Sequence, residues 1–250
     1  MCITVPSEGC LEEIPNPTIL EPTDVIARVD STTICGTDLH ILKGDCPKVD
    51  YGRILGHEAI GTITEVGSAL TNLKVGDRVI IPAVTSCGKC FYCKANQPTH
   101  CQTVGGVGWI FGYMIDGTQA EYVCVPCAET SVHLVPEGLT DEDVLFLTDA
   151  LPTGFEIGIL NGNTKPGDTV TVVGAGPVGL GAIITANLCG TGRVITVDFY
   201  ENRLNKALEL GATDKVNAGD SLLHLRPVRG SIRPIHPRCG ARRGEGCYLP

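Results

Sequence analysis

The sequence predicts a mainly β domain followed by an incomplete α/β unit built on parallel strands. Two observations carry this. Between residues 20 and 81, short β-branched runs are separated by glycine and proline breakers. At Thr169 the pattern changes to a continuous apolar strand, a glycine loop, a helix and a second strand.

In the first half, Pro15-Asn16-Pro17 and Glu21-Pro22-Thr23-Asp24 are breakers, and Val25 to Val29 is a short strand. Gly61 to Val66 alternates apolar and polar, Val75-Gly76-Asp77-Arg78 holds a turn, and Val79-Ile80-Ile81 is a further strand. Thr140 before Asp141, Glu142 and Asp143 caps an expected apolar helix that carries Asp149 inward. A carboxylate in such a run is costly to bury unless paired or metal-bound. In the second half, Thr169 to Val173 is a buried strand and Leu180 to Leu188 a helix. Arg193 to Val197 is the next strand, followed by a helix from Glu201 to Leu210 and a short strand at Lys215-Val216-Asn217. The expected organisation is 1–150, 151–220 and an atypical tail, 221–250, with no apolar period and expected to be disordered. That tail is net +5 while the preceding 220 residues are net −14, and a basic interaction arm is its functional alternative.

The 250 residues suffice for one large or two ordinary domains, and 43% hydrophobic with 19% charged is an ordinary globular composition. A net charge of −9 argues against nucleic acid as a partner, because phosphate binding wants a basic face. No basic segment with an apolar stretch behind it opens the chain, and no run of about 18 apolar residues suggests a membrane span. Thirteen cysteines without a secretory signal read as thiols and metal ligands in a reducing compartment, so the cytoplasm is the expected location.

Three motifs carry chemistry. Cys87, Cys90, Cys93 and Cys101 stand at C-x2-C-x2-C-x7-C spacing. Two-residue gaps let thiolates converge on one ion, and four close a tetrahedral shell, the arrangement of a structural zinc. The rivals are an iron–sulfur cluster, which also takes four thiolates, and a set of free thiols. His100, next to Cys101, is read as a group behind the ligands or as incidental, and Cys124 and Cys127 are read as packed strand-end thiols, since no further ligand stands near them. The second motif runs from Cys35-Gly36-Thr37-Asp38-Leu39-His40 to Gly56-His57-Glu58, with Asp149 as candidate third ligand. Thiol, imidazole and carboxylate are the groups zinc takes in a site that keeps one position open. The third is Gly174-Ala175-Gly176-Pro177-Val178-Gly179 between strand and helix, with Asp198 ending the next strand. This is the context of a dinucleotide fingerprint, where glycines let a pyrophosphate reach the helix N-terminus and the acid accepts from the ribose hydroxyls. Asp198 would repel a 2′-phosphate, which favours NAD over NADP.

Taken together these motifs resemble the zinc-containing alcohol dehydrogenases of the medium-chain dehydrogenase/reductase superfamily over roughly residues 20–220. Asp149 stands where liver-type enzymes have cysteine, so the closer likeness is to the bacterial and protist branch acting on secondary or short-chain alcohols. The resemblance implies a GroES-like zinc-binding catalytic domain and then a partial Rossmann NAD-binding domain. It implies that Cys35, His57 and Asp149 hold a catalytic zinc, with Glu58 an alternating ligand or a group behind the ligands. Thr37 would sit against the reacting oxygen and His40 would pass its proton to solvent. Thr153, Gly174, Gly176, Gly179 and Asp198 would hold NAD. The substrate would be a small primary or secondary alcohol, or its aldehyde or ketone, with Trp109 a candidate pocket residue. Polyol, threonine and formaldehyde oxidation are alternatives within the superfamily. Homo-oligomers are expected of the full-length family and are not carried over to this chain. The family runs to about 350 residues around a six-stranded cofactor sheet. The chain is therefore expected to be truncated within that sheet, short of the nicotinamide half, and to turn over slowly or not at all.

Overall fold

A computed structural model describes residues 2–5 and 8–219. The tail expected over 221–250 lies outside the described residues. The chain divides into two compact units, Met1–Asp149 and Ala150–Pro250.

The first unit opens with an antiparallel pair, β1 (Cys2–Val5) and β2 (Glu8–Cys10). Its main sheet is built from β3 (Val25–Thr32), β4 (Ala59–Val66) and β5 (Arg78–Ile81). Two edge strands, β6 (Tyr122–Val125) and β7 (His133–Leu134), complete it in the order β6-β3-β4-β5-β7, antiparallel throughout. Val25, Ala27, Ile63, Val79, Ile81, Val123 and Val125 alternate onto one face and bury it against Phe111. Burying a branched aliphatic side chain of this kind contributes about 1.5–3 kcal/mol. Short helices punctuate the unit, among them α1 (Gly36–Leu42), α2 (Phe91–Lys94) and α3 (Ala128–Ser131).

The sheet register positions the chemistry. Thr32 on β3 pairs with Ala59 on β4. The chain leaving β3 thus reaches Cys35 beside the chain entering β4, which carries His57 and Glu58. Thr32 Oγ1 donates to the Glu58 carbonyl at 2.8 Å and ties the two together.

The apolar helix expected around Asp149 is not continuous. The chain forms α4 (Asp141–Val144), a 3-10 turn over Leu145–Leu147, then α5 (Ala150–Thr153) and a π-helix over Gly154–Leu160. Pro152 has no N–H to give the Thr148 carbonyl four residues back. That carbonyl instead accepts from Ala83 N at 3.0 Å, just past β5. The Thr148 hydroxyl also bonds the Leu145 carbonyl at 2.6 Å, competing with the helical ladder. Asp149 therefore sits at a break that is pinned to the sheet.

In the second unit β8 (Thr169–Val173), β9 (Arg193–Asp198) and β10 (Asp214–Asn217) form a parallel sheet in the order β10-β9-β8. The crossovers are α6 (Pro177–Leu188) and α7 (Glu201–Glu209). α6 begins three residues before its expected start, because Pro177 at the first position has φ preset for a helix and needs no N–H partner there. Ile183, Ala186, Val194 and Ala207 fill the core between helices and sheet. Among the described residues β8 is paired on one side only.

Candidate metal centres

The four cysteines of the first motif converge. Cys90 Sγ lies 3.5 Å from Cys93 Sγ and 4.0 Å from Cys101 Sγ, and Cys87 and Cys93 are 4.0 Å apart. Zinc–sulfur bonds of about 2.3 Å in a tetrahedron place neighbouring sulfurs about 3.8 Å apart, while a disulfide would need about 2.05 Å. Backbone N–H groups support the knot: Cys87 N donates to Cys101 Sγ and Cys90 N to Cys87 Sγ. Burial works against the Cys87 thiolate, but the Thr103 hydroxyl and the N–H groups of Lys89 and Cys90 outweigh it and bring its pKa down to about 6. Burial, then the adjoining Cys90 and Cys101 sulfurs, push Cys93 up to about 11. Four thiols this close can all ionise only around a shared cation. From Cys87 to His100 no residue is buried, so this loop has no apolar core of its own.

His100 stands apart from the cluster, its ring against Tyr92 and its Nδ1 3.1 Å from Thr99 Oγ1. Cys124 and Cys127 join neither ligand group, and Cys124 Sγ lies 3.9 Å from Asp24 Oδ2. Burial, then the charge of Asp24, push the Cys124 thiol up to about 11, far from a thiolate at neutral pH.

The second group is Cys35, His57, Glu58 and Asp149, with ligand atoms all within 4.8 Å of one another. His57 Nε2 is 3.4 Å from Asp149 Oδ2 and 3.7 Å from Glu58 Oε1. Tetrahedral zinc with bonds of about 2.1 Å separates its nitrogen and oxygen ligands by about 3.4 Å. Donor types and spacing fit zinc. Burial alone would lower the His57 pKa, but hydrogen bonds with Asp149 and Cys35, and the charge of Asp38, carry it up to about 10. Burial and then the charge of Asp149 raise Glu58. In the metal-free chain the imidazolium thus supplies the positive charge these acceptors demand.

The sign of a pH dependence follows. The raised His57 pKa stabilises the metal-free fold fully below about 6.5, and that contribution is lost as pH rises through about 10. Zinc must displace the proton, so affinity at this centre should rise about tenfold per pH unit for each proton released. Chelator-competition titrations between about pH 6 and pH 8 measure this. A flat profile would contradict the assignment of His57.

Two residues that the sequence reading left without a role lie against this centre. Asp38 is 1% exposed; it accepts from Cys35 N at 2.7 Å, Gly56 N at 3.2 Å and Gln119 Nε2 at 3.2 Å. Its Oδ1 lies 3.8 Å from His57 Nδ1, the nitrogen facing away from the other ligands. Thr148 donates to Glu58 Oε2 at 3.1 Å. The signal for Asp38 was its place three residues after Cys35, where a carboxylate reaches back to the chain N–H at a helix start.

Thr37 lies beside the centre, its hydroxyl 3.7 Å from Cys35 Sγ. Trp109 sets its ring edge against His57 at 5.9 Å and stacks on Tyr113 at 4.7 Å. His40 is exposed and pairs with Asp45.

Thr153, the glycine loop and Asp198 belong to the second unit. Gly174 follows β8 with φ 95°, and a Cβ on Gly179 would stand 1.9 Å from the Gly174 carbonyl oxygen, so neither position tolerates a side chain. A Cβ on Gly176 would meet nothing within 4 Å, which leaves open space at the N-cap of α6. Asp198 accepts from Ala175 N at 2.7 Å and Tyr200 N at 2.9 Å. The Tyr200 and Ala175 bonds hold its carboxyl below the usual range, so it is ionised at neutral pH.

The fold agrees with what the chain is similar to. Residues 21–137 match the alcohol dehydrogenase GroES-like domain. An alcohol dehydrogenase of Cupriavidus necator is 43% identical over 209 residues, covering 78% of this chain and 57% of that protein. A medium chain reductase/dehydrogenase of Acremonium is 38% identical, covering 83% and 72%. The apo structure of zinc dependent alcohol dehydrogenase 2 from Streptococcus pneumonia superposes with a TM-score of 0.81 at 47% identity, covering 88% of this chain and 61% of that one. The chain belongs to the zinc-containing alcohol dehydrogenases of the medium-chain dehydrogenase/reductase superfamily. It spans just under three fifths of the length of the Cupriavidus relative.

Proposed function

We propose that this chain carries the zinc centre and the adenosine half-site of an NAD-dependent alcohol dehydrogenase acting on short-chain primary or secondary alcohols. The observation that carries the reading is the convergence of Cys35, His57, Glu58 and Asp149 on one point. A zinc ion held there supplies a Lewis acid for the alcohol hydroxyl, and NAD supplies the hydride acceptor. Thr148 fixes the direction of Glu58 by a hydrogen bond, and the charge of the Asp38 carboxylate lies 3.8 Å from His57 Nδ1. The Thr37 hydroxyl, beside Cys35 Sγ, is placed to hydrogen-bond a reacting oxygen. Trp109 and Tyr113 form an aromatic wall beside His57 that favours a small, partly apolar substrate. His40 takes the released proton to solvent. In the second unit the glycine loop admits the pyrophosphate, and Asp198 accepts from the adenosine ribose. The chain works as a cytoplasmic protein.

The test has two arms. Calorimetric titration should show NAD binding more tightly than NADP, and Asp198→Gly should erase the preference. Stronger binding of NADP to the unmodified chain would overturn the role of Asp198. A steady-state assay with primary and secondary alcohols should give at most slow NAD-dependent oxidation.

A second reading, a zinc-binding chain that does not turn over, draws on the one-sided pairing of β8. In this class of sheet the cofactor crosses the crevice beside the first strand. Val173 at that edge is 81% exposed, and no described strand forms the opposite wall. Losing about 1 Å of alignment can cost about 10²-fold in rate. Full zinc and NAD binding without oxidation would favour this second reading.

A further inference from the structure

We propose that Asp45 is the positioning partner of His40, fixing which imidazole nitrogen handles the proton; this rests on the relay role given to His40 above.

The pair is built by the end of α1. The helix closes on Lys43, and Gly44 follows with φ 81°, a conformation that glycine adopts without strain. Gly44 N donates to the Ile41 carbonyl at 2.9 Å and Asp45 N to the His40 carbonyl at 3.0 Å. This is the double bond pattern that folds the chain back over the last helical turn. It lays Asp45 over His40, and Asp45 Oδ2 comes 2.7 Å from His40 Nδ1. That is the short range of a charge-assisted hydrogen bond.

An ionised carboxylate can only accept. The proton of neutral His40 is therefore held on Nδ1, and Nε2 keeps its lone pair. On arrival of a proton, Nε2 gains the N–H bond while the Nδ1–H stays against Asp45. The imidazolium then gives the Nε2 proton to water, with the Nδ1–H still against Asp45. The two side chains are 62% and 56% exposed, so water reaches the pair directly. An exposed ion pair adds little to folding. Its consequence is the orientation and tautomer of the ring.

The test is long-range proton–nitrogen NMR of the 15N-labelled full chain with zinc bound, without alcohol or NAD. Neutral His40 should carry its proton on Nδ1. Asp45→Ala should move the tautomer ratio toward Nε2–H by roughly two- to fivefold, the range an exposed pair supports. Asp45→Glu should restore part of it. Gly44→Ala, which opposes the turn, should shift the ratio in the same direction as Asp45→Ala. An Nε2–H ring in the unmodified chain, or a ratio unchanged in Asp45→Ala, overturns the role of Asp45 alone. If the tautomer responds as expected but His40→Gln leaves alcohol turnover unchanged, the relay falls, and the role of Asp45 falls with it.

Discussion

Cys93→Ser should lower tightly bound zinc from two ions per chain to one and loosen the 87–101 loop. The loop has no buried residue between Cys87 and His100, so the shared cation is what organises it. Structural zinc contributes about 10–16 kcal/mol of apparent binding free energy at neutral pH, and in such loops that is folding free energy. A serine hydroxyl is a poor substitute for a thiolate. The three remaining sulfurs, with those of Cys90 and Cys101 4.0 Å apart, would be left in mutual repulsion or protonated. Metal analysis and a melting curve measure both effects, and a strong chelator should reproduce them in the unmodified chain. Cys124→Ser is the control: its sulfur joins neither cluster, so metal content should not change. Equal damage from the two substitutions would sink the ligand assignment.

The second large effect is expected of Asp38, which touches no metal. Asp38→Ala leaves the N–H groups of Cys35 and Gly56 without their acceptor, and each unsatisfied buried group costs about 1–3 kcal/mol. His57 also loses the carboxylate facing its Nδ1. Outer partners of this kind typically change metal affinity 10–100-fold. Zinc at the Cys35–His57–Asp149 centre should weaken by that factor while zinc in the four-cysteine loop stays bound. Asp38→Asn, which keeps one acceptor oxygen, should fall in between. Competition with a chromophoric chelator resolves the two sites. Parallel loss of both ions would instead make Asp38 a general stability residue.

The two mutations differ in how visible their targets are in sequence. The cysteine loop is legible because its ligands are local: spacing alone lets four thiols meet. The strands Val25 to Val29 and Thr169 to Val173 are legible because β-branched runs between breakers admit few alternatives. Asp149 was picked out for a sound reason, the cost of burying a carboxylate, but its setting was misjudged. The run 144–151 looks helical by composition, and what breaks it is Pro152 together with a bond from Ala83, sixty-five residues back in the chain. Asp38 was written inside the motif and given no role, since its partners Gly56 and Gln119 meet it only through the sheet register. The 2.7 Å pairing of His40 with Asp45 needed the turn at Gly44, whose φ no spacing rule specifies.

The register that pairs Thr32 with Ala59 also sets an order of assembly. Cys87 to Cys101 closes a short loop, and those thiols can meet on a metal without the sheet register having formed. Cys35 to Asp149 encloses a loop roughly eight times as long, whose closure costs about 2 kcal/mol more entropy. The second centre therefore has no ligand geometry until β3, β4 and β5 have found one another. A metal held by the four cysteines would act as a local clasp that needs no sheet. The other can enter only as a late check that the whole sheet has closed correctly.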